Sequence, residues 1–94
     1  MRTIKQTGQF KRDLKREKKG RYRTVLQSSF AAMVTHLAND KDLELRHVDH
    51  ALAGTWKGFR NCHVKPDLIL IYEKPDLETL VLVRLGSHAE LELS

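Results

Sequence analysis

The chain has 94 residues, with 17 Lys and Arg against 12 Asp and Glu and a formal net charge of +5. That length supports one domain with one core and excludes a nucleotide-binding domain joined to a separate substrate domain. A hydrophobic fraction of 40% argues against disorder, and no apolar run approaches the ~20 residues that span a bilayer. In chain order, residues 1–6 are short and polar around Ile4 and suit an edge strand. Residues 8–19 predict a helix: Phe10 and Leu14 share one face, and Lys and Arg wrap the remainder. Gly20 breaks it. Across 22–38, Tyr22, Val25, Leu26, Phe30, Met33, Val34 and Leu37 predict a second helix with a wide apolar face, ended at Asn39-Asp40. The two helices should form an antiparallel hairpin. Residues 39–61 are less regular; Leu43-Glu44-Leu45 is ambiguous, and Gly54 and Gly58 bracket a short strand at Thr55-Trp56-Lys57. His63 to Tyr72 reads as a strand with an irregular opening at Pro66, which cannot donate to a ladder. Glu73-Lys74-Pro75-Asp76 is a turn signal, and Thr79 to Leu85 is a second strong strand. Gly86 then releases the chain into a tail, 87–94. Both strong strands are apolar on both faces, so the helical hairpin should cover one of them. The expected fold is α+β, a small antiparallel sheet packed against two N-terminal helices in a single domain, 1–94.

The charge is unevenly spread. Residues 1–24 hold ten Lys or Arg and two acids, a local +8, and residues 25–94 are left with −3. Lys11, Arg12, Lys15, Arg16, Lys18, Lys19, Arg21 and Arg23 dominate the basic part, a surface that attracts a phosphate backbone or an acidic protein. A solvated helix face is the competing reading. Cys62 is the single cysteine, which excludes an intrachain disulfide and a four-thiolate zinc site. It reads as a small buried hydrophobe rather than a nucleophile. No secretion signal follows Met1-Arg2-Thr3-Ile4-Lys5, so a cytoplasmic location without membrane association is expected.

Four of the five histidines lie at or beyond residue 47. His63 and Asp67 flank Pro66 at the entry of one strand, and His88 follows the exit of the next; paired antiparallel strands bring these ends together. Arg84 interrupts a run of Leu and Val in the same neighbourhood. Such a set suits proton transfer at neutral pH, with Asp67 fixing an imidazole and Arg84 holding a phosphoryl group. RNA cleavage by its own 2′-hydroxyl needs those elements, and DNA lacks that hydroxyl. Zinc ligation by His50, His63, Asp67 and His88 is the competing reading, although their spacing matches no tight metal motif, as is a set of unrelated surface histidines. His36 and His47 are assigned to structure or surface.

Asp49-His50-Ala51-Leu52-Ala53-Gly54-Thr55-Trp56-Lys57-Gly58-Phe59-Arg60-Asn61-Cys62-His63-Val64-Lys65-Pro66-Asp67, continuing to Tyr72, resembles the YafQ-type branch of the RelE/ParE toxin superfamily. Arg84-Leu85-Gly86-Ser87-His88 resembles the end of the same toxins, and the likeness runs through nearly the whole chain. It implies a RelE/ParE-like fold and a bacterial toxin of a type II toxin–antitoxin pair. The branch cuts mRNA in the decoding site of the 70S ribosome and so inhibits translation, with no cofactor or metal expected. Its catalytic histidines match His50, His63 and His88, its active-site carboxylate Asp67 and its phosphate-binding arginine Arg84. On this assignment His50 or His63 is the general base, His88 the general acid and Asp67 the orienting group. Lys65, Arg60 and Trp56, inside the matching segment, are assigned with Arg84 to substrate binding. Lys11, Arg12, Lys15, Arg16, Lys18 and Lys19 are assigned to ribosomal RNA, on a surface that a cognate antitoxin also neutralises in a hetero-oligomer. Close relatives can place an aromatic near the C-terminus to contact the message; here Ala89-Glu90-Leu91-Glu92-Leu93 has none. The alternatives are a ParE-like, non-catalytic inhibitor of DNA gyrase, a ribonuclease independent of the ribosome, and a plain nucleic-acid-binding module.

Overall fold

A computed structural model describes residues 1–93; Ser94, the last residue of the expected tail, lies outside the described residues. The chain runs β1 (Thr3–Gln6), α1 (Gly8–Glu17), α2 (Arg23–Gln27), α3 (Ser29–Ala38), β2 (His50–Ala51), β3 (Arg60–Lys65), β4 (Leu68–Asp76) and β5 (Thr79–Gly86). Short 3₁₀ turns at Leu45–His47 and Gly54–Trp56 flank β2. The sheet order is β1-β5-β4-β3-β2. Three neighbouring pairs are antiparallel, as expected, whereas edge strand β1 runs parallel to β5. The sheet is therefore mixed at one edge.

Thr7 starts α1 by accepting the Phe10 amide on its hydroxyl, satisfying one of the free donors of the first turn. The single helix expected over 22–38 is two helices. Ser28, with φ −121° and ψ −83°, leaves helical geometry, and its hydroxyl donates to the Thr24 carbonyl at 2.8 Å. A serine that competes for backbone acceptors favours such a break. The apolar face survives it, because Leu26, Phe30, Met33, Val34 and Leu37 all enter one core with Phe10 of α1.

The strand expected over 63–72 is likewise two. Pro66 and Asp67 form the turn of a hairpin, with a register shift between His63 and Lys65, because Pro66 has no amide hydrogen to continue the ladder. The next turn lies at Leu77-Glu78 rather than at 73–76, since β4 continues through an irregularity at Pro75 to Asp76. Asp76 Oδ1 accepts the Glu78 amide and closes that turn.

β4 sorts the two faces. Leu68, Leu70 and Tyr72 point into the core under the helices, while Ile69 and Ile71 point the other way. On that second face they meet Leu91 of the tail, with Leu52, Trp56, Phe59, Val83 and Leu93 packed around. The tail and the irregular segment thus cover the sheet face that the helices leave open. Among the described residues, no helix is long and apolar enough to cross a membrane.

Candidate active site

The face covered by the tail also carries the polar residues. His50 of β2 pairs with Asn61 of β3, and Asn61 pairs with Ile71 of β4, so their side chains fall in one row across the sheet. His63, two residues on, shares that face. Arg84 reaches it through a bulge in β5. Leu82 opposes Tyr72 and Arg84 opposes Ile71, so three residues of β5 span two of β4. Without the extra residue, the alternation from Leu80 and Leu82 would direct Arg84 into the helical core. The bulge turns it over and returns Leu85 to that core. His50, Trp56, Asn61, His63, Arg84, His88 and Glu90 consequently line one cleft.

His88 is held at the cleft rim by two sets of bonds. Its Nδ1 donates to Asp67 Oδ1 at 2.7 Å, and its backbone amide donates to the same oxygen at 3.0 Å. Both bonds, the backbone one first, keep the Asp67 carboxyl below its ordinary value, and the charge of Arg21 adds to the effect. Ser87 and Glu90 form a reciprocal cap around His88: the Ser87 amide donates to Glu90 Oε1, and the Glu90 amide donates to the Ser87 hydroxyl. The His88 ring stands edge-on to that of His63, with centroids 5.4 Å apart.

His63 is half-buried. Burial is the main cause that lowers its pKa, reinforced by His88 and His50 and opposed by Asp67, so its neutral form is favoured. His47 donates from Nδ1 to the His63 carbonyl at 2.7 Å, a structural bond for a residue assigned to structure or surface. His50 donates from Nδ1 to the Val48 carbonyl at 2.9 Å, which leaves its Nε2 lone pair free. Val48 supplies that carbonyl from a left-handed backbone, φ 45°, a conformation costly for a β-branched residue.

The other residues assigned to substrate and RNA divide. Trp56 lines the cleft and meets Phe59 edge to face, with centroids 5.5 Å apart. Arg60 does not join it. Its position in β3 has the opposite parity, opposite Tyr72, and it donates to Asp49, which also accepts the Tyr72 hydroxyl at 2.7 Å. Lys65 opens onto a separate groove beside α3. On and just beyond α1, Lys11, Lys15, Lys18 and Lys19 are exposed, and Arg12 is exposed while donating to Gln9. Arg16, although exposed, is bound to Asp13, Glu17, Glu90 and the Leu85 carbonyl.

Asp13 and Asn61 are not singled out by the sequence. Asp13 is fully buried, and its position at i+3 from Phe10 on the apolar stripe of α1 was the available signal. Asn61 is 5% exposed and Oδ1 lacks a hydrogen-bond partner; its signal was two-residue alternation with His63. The Ser87-x-x-Glu90 cap was also legible as a pattern. Cys62, on the helical side of β3, is buried and its thiol pKa is pushed up by burial, consistent with an unreactive core residue.

Residues 2–93 match the model of the bacterial toxins of type II toxin–antitoxin systems called YafQ. The chain belongs to the YafQ toxin family. The mRNA interferase toxin YafQ of Escherichia coli K12 is 38% identical over 90 residues, covering 96% of this chain and 95% of that protein. YafQ in the E. coli DinJ–YafQ complex superposes with a TM-score of 0.77 at 36% identity, over 97% of this chain and 98% of that one. A metal-bound toxin from Helicobacter pylori gives 0.81 at 44% identity, over 97% and 99%. The α+β architecture is that of the YafQ toxins, and this chain is a toxin of the type II toxin–antitoxin class.

Proposed function

We propose that this YafQ-family toxin is an endoribonuclease that cuts mRNA in the decoding site of the ribosome and thereby stops translation. The observation that carries the reading is the pairing of an Asp67-bound His88 with a His63 whose neutral form is favoured, 5.4 Å away in a cleft that Arg84 also lines. A neutral imidazole is a base, and the Asp67 carboxylate fixes the tautomer and orientation of the second imidazole.

In the reaction, His63 takes the proton of the 2′-hydroxyl, and O2′ forms a bond to phosphorus. The bond from phosphorus to O5′ breaks, and His88 gives O5′ a proton from Nε2. The products are a 2′,3′-cyclic phosphate and a 5′-hydroxyl, with one proton taken and one returned. Arg84 meets the phosphoryl oxygens as negative charge grows on them. His50, with Nε2 free, accepts from the ribose or supports His63. Trp56 offers an apolar wall against which a base can lie. The mRNA interferase name of the E. coli relative supports the activity. The DinJ–YafQ complex supports an antitoxin as partner in a hetero-oligomer.

The test is cleavage of a message on programmed ribosomes and of the same message naked, each with and without chelator. Cutting should require the ribosome and persist in chelator. His63→Ala and His88→Ala should each lower the rate by about 10²- to 10⁴-fold. Undiminished cutting by the double variant would remove the histidines from the mechanism. Activity restored only by added metal ion would put a metal into it, a relevant arm because the similar H. pylori toxin is metal-bound.

A further inference from the structure

We infer that Asp13 is a positioning residue: from α1 it aims the Arg84 guanidinium at the cleft. The inference rests on the endoribonuclease reading for the consequence of that aim, though not for the aim itself. β1 pairs with β5 only as far as Leu82, so the edge of β5 beyond that residue has no neighbouring strand. α1 takes its place with side chains. Thr7 donates from its hydroxyl to the Val83 carbonyl, Asp13 Oδ2 accepts the Leu85 amide at 3.0 Å, and Arg16 donates to the Leu85 carbonyl at 3.0 Å.

The Leu85 amide alone does not call for a carboxylate, since a neutral acceptor would satisfy it and a buried charge is costly. Asp13 instead accepts five hydrogen bonds: two from Arg84, and one each from Leu85, Gln9 and Arg16. Arg84 Nε lies 2.7 Å from Oδ2 and Nη2 lies 3.3 Å from Oδ1, so the planar guanidinium is gripped along one edge. Its side chain keeps 23% exposure while that of Asp13 has none. The gripped group therefore still opens toward the cleft, with one edge spent on Asp13 and the other free for a phosphate. Arg16 shares its charge with Glu17 and Glu90, and Glu90 caps the turn at His88. A side chain at position 86 would bring Cβ to 2.9 Å from Arg16 Nη2, so Gly86 keeps this approach open.

The test compares Asp13→Asn, Arg84→Ala and their combination for cleavage on programmed ribosomes. Misaiming the guanidinium should lower the rate at ribosome saturation by about 10- to 10²-fold, with half-saturation changed less than about twofold. In the Arg84→Ala background, Asp13→Asn should add less than about a twofold loss. A near-wild-type rate for Asp13→Asn, or losses that multiply, would overturn the inference. Should Asp13→Asn fail to fold, Arg84→Lys decides, because it leaves α1 intact and keeps the charge without the planar fork. It should lose within about threefold of what Arg84→Ala loses, and a rate near wild type would sink the idea. A second readout needs no catalysis: exchange of the Arg84 Nε proton by NMR should be slow in the wild-type protein. Fast exchange there would overturn the grip by Asp13 even if the protein cuts RNA. A wild-type protein that cuts no message would defeat the proposed function, and slow exchange would still uphold the grip.

Discussion

His63 sits beside two other imidazoles, and its burial and their charge act in the same direction. An ordinary histidine is half-protonated near pH 6.5, so a lower pKa keeps more of the base neutral near and below that pH, at some cost in base strength. The shift at His63 has that sign. Activity limited by a neutral His63 should fall as pH drops, along a limb whose pKa is below 6.5. Ring-proton NMR should find His63 titrating below that value, and His50→Gln, which removes one of the two neighbouring imidazoles, should move its titration upward. An unchanged His63 midpoint in His50→Gln would leave burial and His88 as what lowers it. Asp67 pulls the other way, and its bonds go to His88 rather than to His63. The two neighbouring histidines thus differ in surroundings, His88 being held by the carboxylate and His63 governed mainly by burial.

At the scale of elements, the site depends on two places where chain pattern and chain geometry part. Pro66 in the sequence signals a weak ladder, and the weakness becomes a turn that delivers Asp67 to His88. The bulge in β5 has a fainter trace, the Arg in Leu-Val-Leu-Val-Arg-Leu, because a register shift is decided by pairing with β4 rather than by the strand itself. The helical face and the two apolar strands were legible, since periodicity carries burial directly. The split at Ser28, the parallel edge at β1 and the placement of Arg60 and Lys65 were not. Each depends on a partner far away in sequence. His63, Asp67, Arg84 and His88 could be brought together from the pairing of two strands and His50 through the family resemblance, whereas the bonds of Arg16 to Asp13 and the Leu85 carbonyl required knowing that the edge of β5 was open. The cap at Ser87 gives the element-scale prediction. Ser87→Ala removes the acceptor of the Glu90 amide and should cost about 0.5–2 kcal/mol in a denaturant titration. Cleavage should fall further than the fraction unfolded accounts for, because His88 lies within the capped turn. A loss confined to stability would detach the cap from the chemistry.

Across the molecule, charge and chemistry are on different surfaces that approach each other at one rim. Lys11, Lys15, Lys18 and Lys19 are exposed on and just beyond α1, whereas the cleft lies on the sheet face covered by the tail. Arg21, between α1 and α2, is close enough to Asp67 to help lower its pKa, so the basic segment reaches the edge of the cleft there. Arg16 is paired with Asp13, Glu17 and Glu90, which leaves a smaller free basic surface than the +8 of residues 1–24 suggests. If the lysines dock on ribosomal RNA, their contribution comes from counterion release and must weaken with salt. Replacing all four with Gln should lower ribosome affinity and flatten the plot of log affinity against log salt by about 0.7–0.9 for each phosphate no longer neutralised. The rate of cutting once bound should remain unchanged, since none of the four lines the cleft. An unchanged salt slope would transfer this surface from the ribosome to the antitoxin, and the same variants titrated with antitoxin would then show the weakened binding instead.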